Sequence, residues 1–281
     1  MLEKIFNIAS SYLLLSFGFI FHILPKRMKI AMGNGLGDFM MTLGSKRKAV
    51  TLDNIQNAFP EKDPDWHKKV CRESYRNLGI TFCELFSLYL LTEDKLKEKF
   101  KYENLELIEE VYSRGKGVLF LSGHFCNWEY LAYSVGLFTN IPVLIIVKPQ
   151  RNKVLDAKIN KARTKAGNRV ISMYKAARDI ITELREGNAV ALLADQSATM
   201  DKDVFVDFFG PQAATYEAPA NLALRFKVPI VMGFNYRQKD GTYTAKVVEI
   251  KHDDLESNKE GIKELTRRHV KMLEEEIRLH P

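Results

Sequence analysis

A chain of 281 residues, 46% of them hydrophobic and 27% charged, is long enough to bury a substantial core, which excludes a disordered or fibrous polypeptide. Its 42 lysines and arginines against 35 acids leave a net charge of +7, an attraction for anionic surfaces shared by phospholipid headgroups, acidic carrier proteins and nucleic acid. The three cysteines, Cys71, Cys83 and Cys126, are widely spaced and form no paired motif, so neither a disulfide framework nor a structural zinc site is expected.

Taken in order, the first segment is residues 5–24 (IFNIASSYLLLSFGFIFHIL), which carry no formal charge over a length able to span or lie deep in a bilayer. Only Lys4 precedes it and no small-residue cleavage site follows, so residues 1–30 read as a retained membrane anchor. Lys26, Arg27 and Lys29, then Lys46, Arg47 and Lys48, come next, and the positive-inside rule puts the bulk of the chain in the cytoplasm. Asn7 and His22 interrupt the apolar run, which leaves a buried or interfacial helix as the alternative. Gly33-Asn-Gly-Leu-Gly37 looks like a nucleotide-binding loop, but Asp38 stands where a last glycine is needed and no strand precedes it; a turn is expected.

Residues 51–91 follow a helical period, broken at Pro60 and Pro64. Beyond the charged run 93–101 the pattern changes. Residues 117–122 (GVLFLS), 141–147 (IPVLIIV) and 189–194 (AVALLA) are continuous apolar runs of strand length, as suits strands buried on both faces. Helical stretches at 127–138, 152–166 and 176–186 lie between or after them, further strands are expected at 229–236 and 242–250, and a charged amphipathic helix at 258–279. The expected fold is therefore α/β: a mixed, largely parallel central sheet covered by helices, with one domain over 31–281 whose helical lead-in runs to about residue 100.

The segment richest in chemistry is GVLFLSGHFCNWEYL, where a strand ends at Gly123, His124 follows and a helix begins near Trp128. Ligands collect at the carboxyl ends of strands in open α/β sheets, and free N–H groups at the helix start can stabilise a developing oxyanion. Glu129 in the first helical turn is placed to reach back to one imidazole nitrogen, fix its tautomer and raise the basicity of the other. The plainer alternative is a capping histidine followed by a glutamate that favours the helix dipole. Cys126 is two residues from His124 and is assigned to packing, and Ser122-Gly123 lacks the setting of a hydrolase elbow.

His124-Phe-Cys-Asn-Trp-Glu129 matches the H-x4-[DE] motif of glycerolipid and lipid A acyltransferases. Together with the N-terminal apolar segment, Thr51-Leu-Asp-Asn-Ile-Gln-Asn-Ala-Phe-Pro60, Leu193-Ala-Asp-Gln196 and Val206-Asp-Phe-Phe-Gly-Pro211 followed by Ala213-Ala-Thr215, it resembles the bacterial lipid A biosynthesis (lauroyl/myristoyl) acyltransferase family over nearly the whole chain. The resemblance implies transfer of an acyl group from acyl carrier protein or coenzyme A to a hydroxyl of an acylated sugar lipid at the bacterial inner membrane, without metal, cofactor or covalent enzyme intermediate. It makes His124 the general base and Glu129 its orienting partner. Arg151 and Arg163 become candidates for holding phosphate or the carrier's phosphopantetheine, their alternative being ordinary solvated charge. Asp195 and Gln196, at a strand end, join them as substrate-binding candidates. Phe125, Trp128, Phe208 and Phe209 are candidates either for an acyl-chain groove or for the core. A mannoside or aminolipid acceptor and a non-enzymatic basic membrane scaffold are the competing readings; nucleic acid is not expected as a partner, because basic residues are interleaved with acids and carry no groove-reading motif.

Overall fold

The computed structural model describes the backbone of residues 2–196 and 203–281 and the side chains of 7–196 and 204–281. The chain divides into a helical unit (1–91, 152–159 and 277–281) and a sheet unit (92–151 and 160–276).

The helical unit opens with α1 (Leu2–Ile23), α2 (Lys26–Leu43), α3 (Ser45–Ala58) and α4 (Pro64–Ser87). The break expected at Pro60 and Pro64 falls between α3 and α4: the Asp63 carboxylate accepts from the backbone N–H of Asp65 (2.9 Å) and Trp66 (2.8 Å), and Pro64 occupies a first-turn position where no N–H is needed. Packing of α2 on α4 depends on glycine. A Cβ on Gly37 would meet the carbonyl oxygen of Tyr75 at 2.3 Å, and one on Gly79 that of Gly33 at the same distance. The turn expected at Gly33–Gly37 is thus the middle of an unbroken helix. Each interior glycine weakens a helix by about 1 kcal/mol relative to alanine, a cost that close approach of two backbones offsets here. Asp38 adds a polar tie across the same pair, accepting two hydrogen bonds from Arg72 and two from Arg76 at 2.8–3.0 Å. These guanidinium hydrogen bonds hold its carboxyl far below the usual carboxylate range.

The membrane anchor expected over 1–30 is not found as a spanning segment: among the described residues no helix is long and apolar enough to cross a membrane. The described part of α1 instead packs one face against protein. Ser11 is fully buried and donates to Asn152 Oδ1 (2.9 Å), whose Nδ2 donates to the Asn7 carbonyl (2.8 Å), so one face of α1 is committed to protein contacts together with Leu15, Gly18 and Phe21. The other face is apolar and exposed, with Ile8, Tyr12, Leu13, Phe19, Ile20 and Ile23.

The sheet unit continues with α5 (Glu93–Lys99), β1 (Phe100–Tyr102), α6 (Glu106–Ser113), β2 (Val118–Ser122), α7 (Trp128–Thr139), β3 (Val143–Val147), α8 (Lys153–Arg163, begun in the helical unit), β4 (Arg169–Ser172), α9 (Ala176–Arg185) and β5 (Ala189–Leu193). After these come β6 (Asp203–Asp207), β7 (Gln212–Tyr216), α10 (Ala218–Phe226), β8 (Ile230–Arg237), β9 (Tyr243–Ile250) and α11 (Lys259–Leu279). Seven strands form one sheet in the order β1-β9-β8-β2-β5-β3-β4, every pair parallel except β8 with β9, while β6 and β7 form a separate antiparallel ribbon. The central apolar runs are strands for the expected reason: Val118, Phe120, Val143, Ile145, Ala189 and Val231 are buried in one cluster with Ile108 and Val111 of α6 and Val135 of α7. Each valine, isoleucine or phenylalanine side chain among them contributes roughly 1.5–3 kcal/mol by leaving water. Because β2, β5, β3 and β4 run the same way, their carboxyl ends share one sheet edge.

Candidate active site

The register of β2 on β5 sets Ser122 opposite Leu193, so the next residues of each strand, Gly123-His124 and Ala194-Asp195, leave the sheet side by side. Asp195 uses both oxygens on His124. Its Oδ2 accepts from the His124 backbone N–H at 2.7 Å and its Oδ1 pairs with Nδ1 at 2.8 Å. Against a carboxylate Nδ1 must carry the proton, which leaves Nε2 as the basic nitrogen. Gly123 makes room for this clamp: a Cβ there would lie 3.2 Å from Asp195 Cβ and 3.3 Å from its carboxyl carbon. The imidazole keeps 35% of its surface open, and the Trp128 ring lies edge-on to it at 4.8 Å.

The loop from Gly123 to Asn127 turns sharply, with Cys126 in the left-handed region at φ 50°. Asn127 then caps α7, its Oδ1 accepting from the Tyr130 N–H at 3.0 Å. Glu129, in the first turn of α7, is buried, and its carboxylate is taken by Arg163: Nε donates to Oε2 at 2.8 Å and Nη2 to Oε1 at 2.5 Å. A third Arg163 donor, Nη1, reaches Asn160 Oδ1 at 2.9 Å. The side chains of this pair are only 10% and 9% exposed, so it is a buried fork-to-fork ion pair.

The sequence-predicted residues are therefore regrouped. His124 is brought together with Asp195, not with Glu129, because Glu129 points from α7 toward α8. Arg163, expected to hold phosphate, is committed to Glu129. Arg151 and Gln196 stand exposed after β3 and β5, Gln196 next to Asp195 in the chain. Of the groove candidates, Trp128 touches His124, and Phe125 packs edge-on against Phe234 (5.9 Å) and Tyr236 (5.7 Å) of β8. Phe208 and Phe209 sit half-buried in the β6–β7 turn, where the Phe209 N–H donates to Glu274 Oε2 of α11 at 2.8 Å. Asn235 was not singled out from sequence; a single polar residue in an otherwise apolar buried strand is the signal that marks it.

A family model described as bacterial lipid A biosynthesis acyltransferase matches residues 3–281. The chain belongs to that family. Similar curated relatives include a Haemophilus influenzae lipid A biosynthesis acyltransferase, 21% identical over 225 residues that make up 79% of this chain and 70% of the relative. The Escherichia coli K12 lipid A biosynthesis lauroyltransferase is 22% identical over 78% of this chain and 71% of its own. With the E. coli lipid A biosynthesis palmitoleoyltransferase the match is 22% identical and spans 60% of the relative's length. Membership in the family assigns acyl transfer to a lipid A precursor as the class of reaction.

Proposed function

We propose that this protein transfers a fatty acyl group from an acyl thioester, carried on acyl carrier protein or coenzyme A, to a hydroxyl of a lipid A precursor, with His124 as general base. The observation that carries the reading is the Asp195 clamp on His124 at the carboxyl edge of the sheet, in a chain matched to the family over 3–281. In this mechanism Nε2 takes the proton of the acceptor hydroxyl while its oxygen attacks the thioester carbonyl carbon. Main-chain N–H groups at the start of α7 stabilise the oxyanion. The C–S bond then breaks, and the imidazolium returns its proton to the leaving thiolate. Asp195 holds the tautomer and steadies the imidazolium through both steps, which makes it the orienting carboxylate in place of Glu129. The Glu129–Arg163 pair fixes the first turn of α7 on α8. Arg151 and Gln196, exposed at the same sheet edge, are assigned to the substrate's phosphates and polar head.

The location follows the same reasoning. The outward apolar face of α1, with exposed Lys26 and Arg27 directly after it, suits a helix lying in the cytoplasmic leaflet of the inner membrane, where the acceptor lipid resides. Mass spectrometry of a detergent-supported reaction between acyl carrier thioester and an under-acylated lipid A precursor tests the proposal. A gain of one acyl mass with wild type, lost with His124→Ala, is expected. No gain with either thioester donor overturns the substrate assignment, and a gain that survives the substitution removes His124 from the mechanism.

A further inference from the structure

Asp195 secures the ring and the backbone N–H of His124, near the start of the loop. That loop holds a non-glycine residue, Cys126, at φ 50°, a conformation that persists only where surrounding contacts impose it. Pairing of β8 with β2 ends at Leu121 opposite Met232, and the next four residues of β8 run beside the loop. Their contacts come in sequence. The Gly233 carbonyl accepts from Ser122 Oγ at 2.8 Å, Phe234 and Tyr236 receive the Phe125 ring between them, and Asn235 Nδ2 donates to the Asn127 carbonyl at 2.8 Å. The same carbonyl accepts from the Leu131 N–H at 3.2 Å as the first helical bond of α7.

Asn235 is fully buried, and its backbone is fixed in register with Ala245 of β9, so its side chain is mounted on a rigid strand. Only the amide nitrogen can face a carbonyl oxygen, which settles the orientation of the group, and its Oδ1 has no donor among the described residues.

We propose that Asn235 is a positioning residue for the reaction: its amide holds the Asn127 carbonyl, and so sets the path of the His124 loop and the direction of the N–H groups at the start of α7. The role rests on the acyl-transfer reading and is separable from that of Asp195, which grips the ring and the N–H of His124 at the other end of the loop. The titratable groups on the elements around this strand end include His124, held by Asp195, and Cys126 in the loop, Glu129, held by Arg163, with Tyr130 and Tyr133 on α7, Tyr236 on β8, which donates to Glu276, and Lys246 on β9, paired with the same Glu276.

The test uses Asn235→Asp, which keeps shape but donates to the Asn127 carbonyl only while the introduced carboxyl is protonated. Burial favours the neutral form and raises its titration range. Relative to wild type at each pH, which cancels the titration of His124, the variant should keep kcat within about threefold at low pH and lose roughly 100-fold at high pH, with KM changed far less, as for a group displaced by about 1 Å. Asn235→Leu, matched in size, should be slow at every pH. Hydrogen exchange of residues 123–131, followed by mass spectrometry, should accelerate in parallel while β8 and β9 stay protected. A variant that is folded by circular dichroism, with a pH-independent kcat ratio and unchanged exchange, overturns the proposal. If wild type transfers no acyl group the reading of function fails, and the exchange of the segment alone still decides whether Asn235 fixes the loop. Should Asn235→Leu fail to fold, Asn235→Asp compared at low and high pH supplies the same decision within one protein.

Discussion

The helical unit and the His124 loop are both close-packed, yet they are held by opposite means. Between α2 and α4 the contact is made by what is missing, the side chains of Gly33, Gly37 and Gly79, and the polar tie at Asp38 is partly open to water. Around His124 the contacts are specific polar ones from separate elements: Asp195 from the end of β5, Asn235 from β8, Arg163 from α8 onto Glu129. Backbone-to-backbone packing tolerates no added volume but asks nothing of protonation, whereas a polar scaffold fixes atoms to a fraction of an ångström and is vulnerable to loss of a single partner. The first arrangement should fail through stability and the second through catalysis, unless the polar group is fully buried.

The largest effect should come from breaking the buried pair on one side. Arg163→Ala leaves the Glu129 carboxylate unpaired and should destabilise the fold by about 3–5 kcal/mol in urea titration. Replacing both partners with Glu129→Gln and Arg163→Met should recover much of that loss; no recovery would show that the stranded charge is not its cause. Next is Asp195→Asn, expected to lower kcat roughly 100-fold or more, about 2.7 kcal/mol, with an unchanged melting temperature. If Glu129→Gln instead lowered kcat as much without loss of stability, the orienting role would return to Glu129. Gly37→Leu pushes a side chain into the Tyr75 carbonyl and should cost about 1–3 kcal/mol of stability while the activity per folded molecule holds. The smallest effect is at Asp38. Its carboxyl titrates below its ordinary value of 3.8 when folded, so the stabilisation is present at neutral pH and fades as pH falls through and below that value. Thermal melts at pH 7 and at pH 3 should therefore show a smaller acid penalty in Asp38→Asn than in wild type.

Much of the sheet was legible because apolar runs such as residues 118–121 are buried on both faces and need no alternation to be recognised. Strand β4, four residues with Arg169 exposed, and the β6–β7 ribbon gave no comparable run. Gly33–Gly37 was misleading for a physical reason: glycine is punctuation in a chain considered alone and a packing device once a second helix lies against it. At the site, the position of His124 followed from the strand that precedes it. Parallel strands also bring Asp195 to the same edge, but its pairing with His124, 71 residues away, depends on the β2–β5 register, which the sequence does not supply. Local spacing pointed to Glu129, and a tertiary partner, Arg163, claimed that carboxylate first.

The helical unit is assembled from three separated stretches, 1–91, 152–159 and 277–281, with the sheet unit filling the intervals. During synthesis on the ribosome, α1 to α4 emerge long before residues 277–281, so the unit formed mostly by the first third of the chain is completed only once those residues have been made. A fragment cut at residue 91 would lack Asn152, whose side chain bonds Ser11 Oγ and the Asn7 carbonyl of α1, and would leave Ser11 with only its bond to the Asn7 carbonyl within the helix. The two units are thus distinct in packing but not in heredity of sequence, and an exchange of either between relatives requires grafting at several junctions at once.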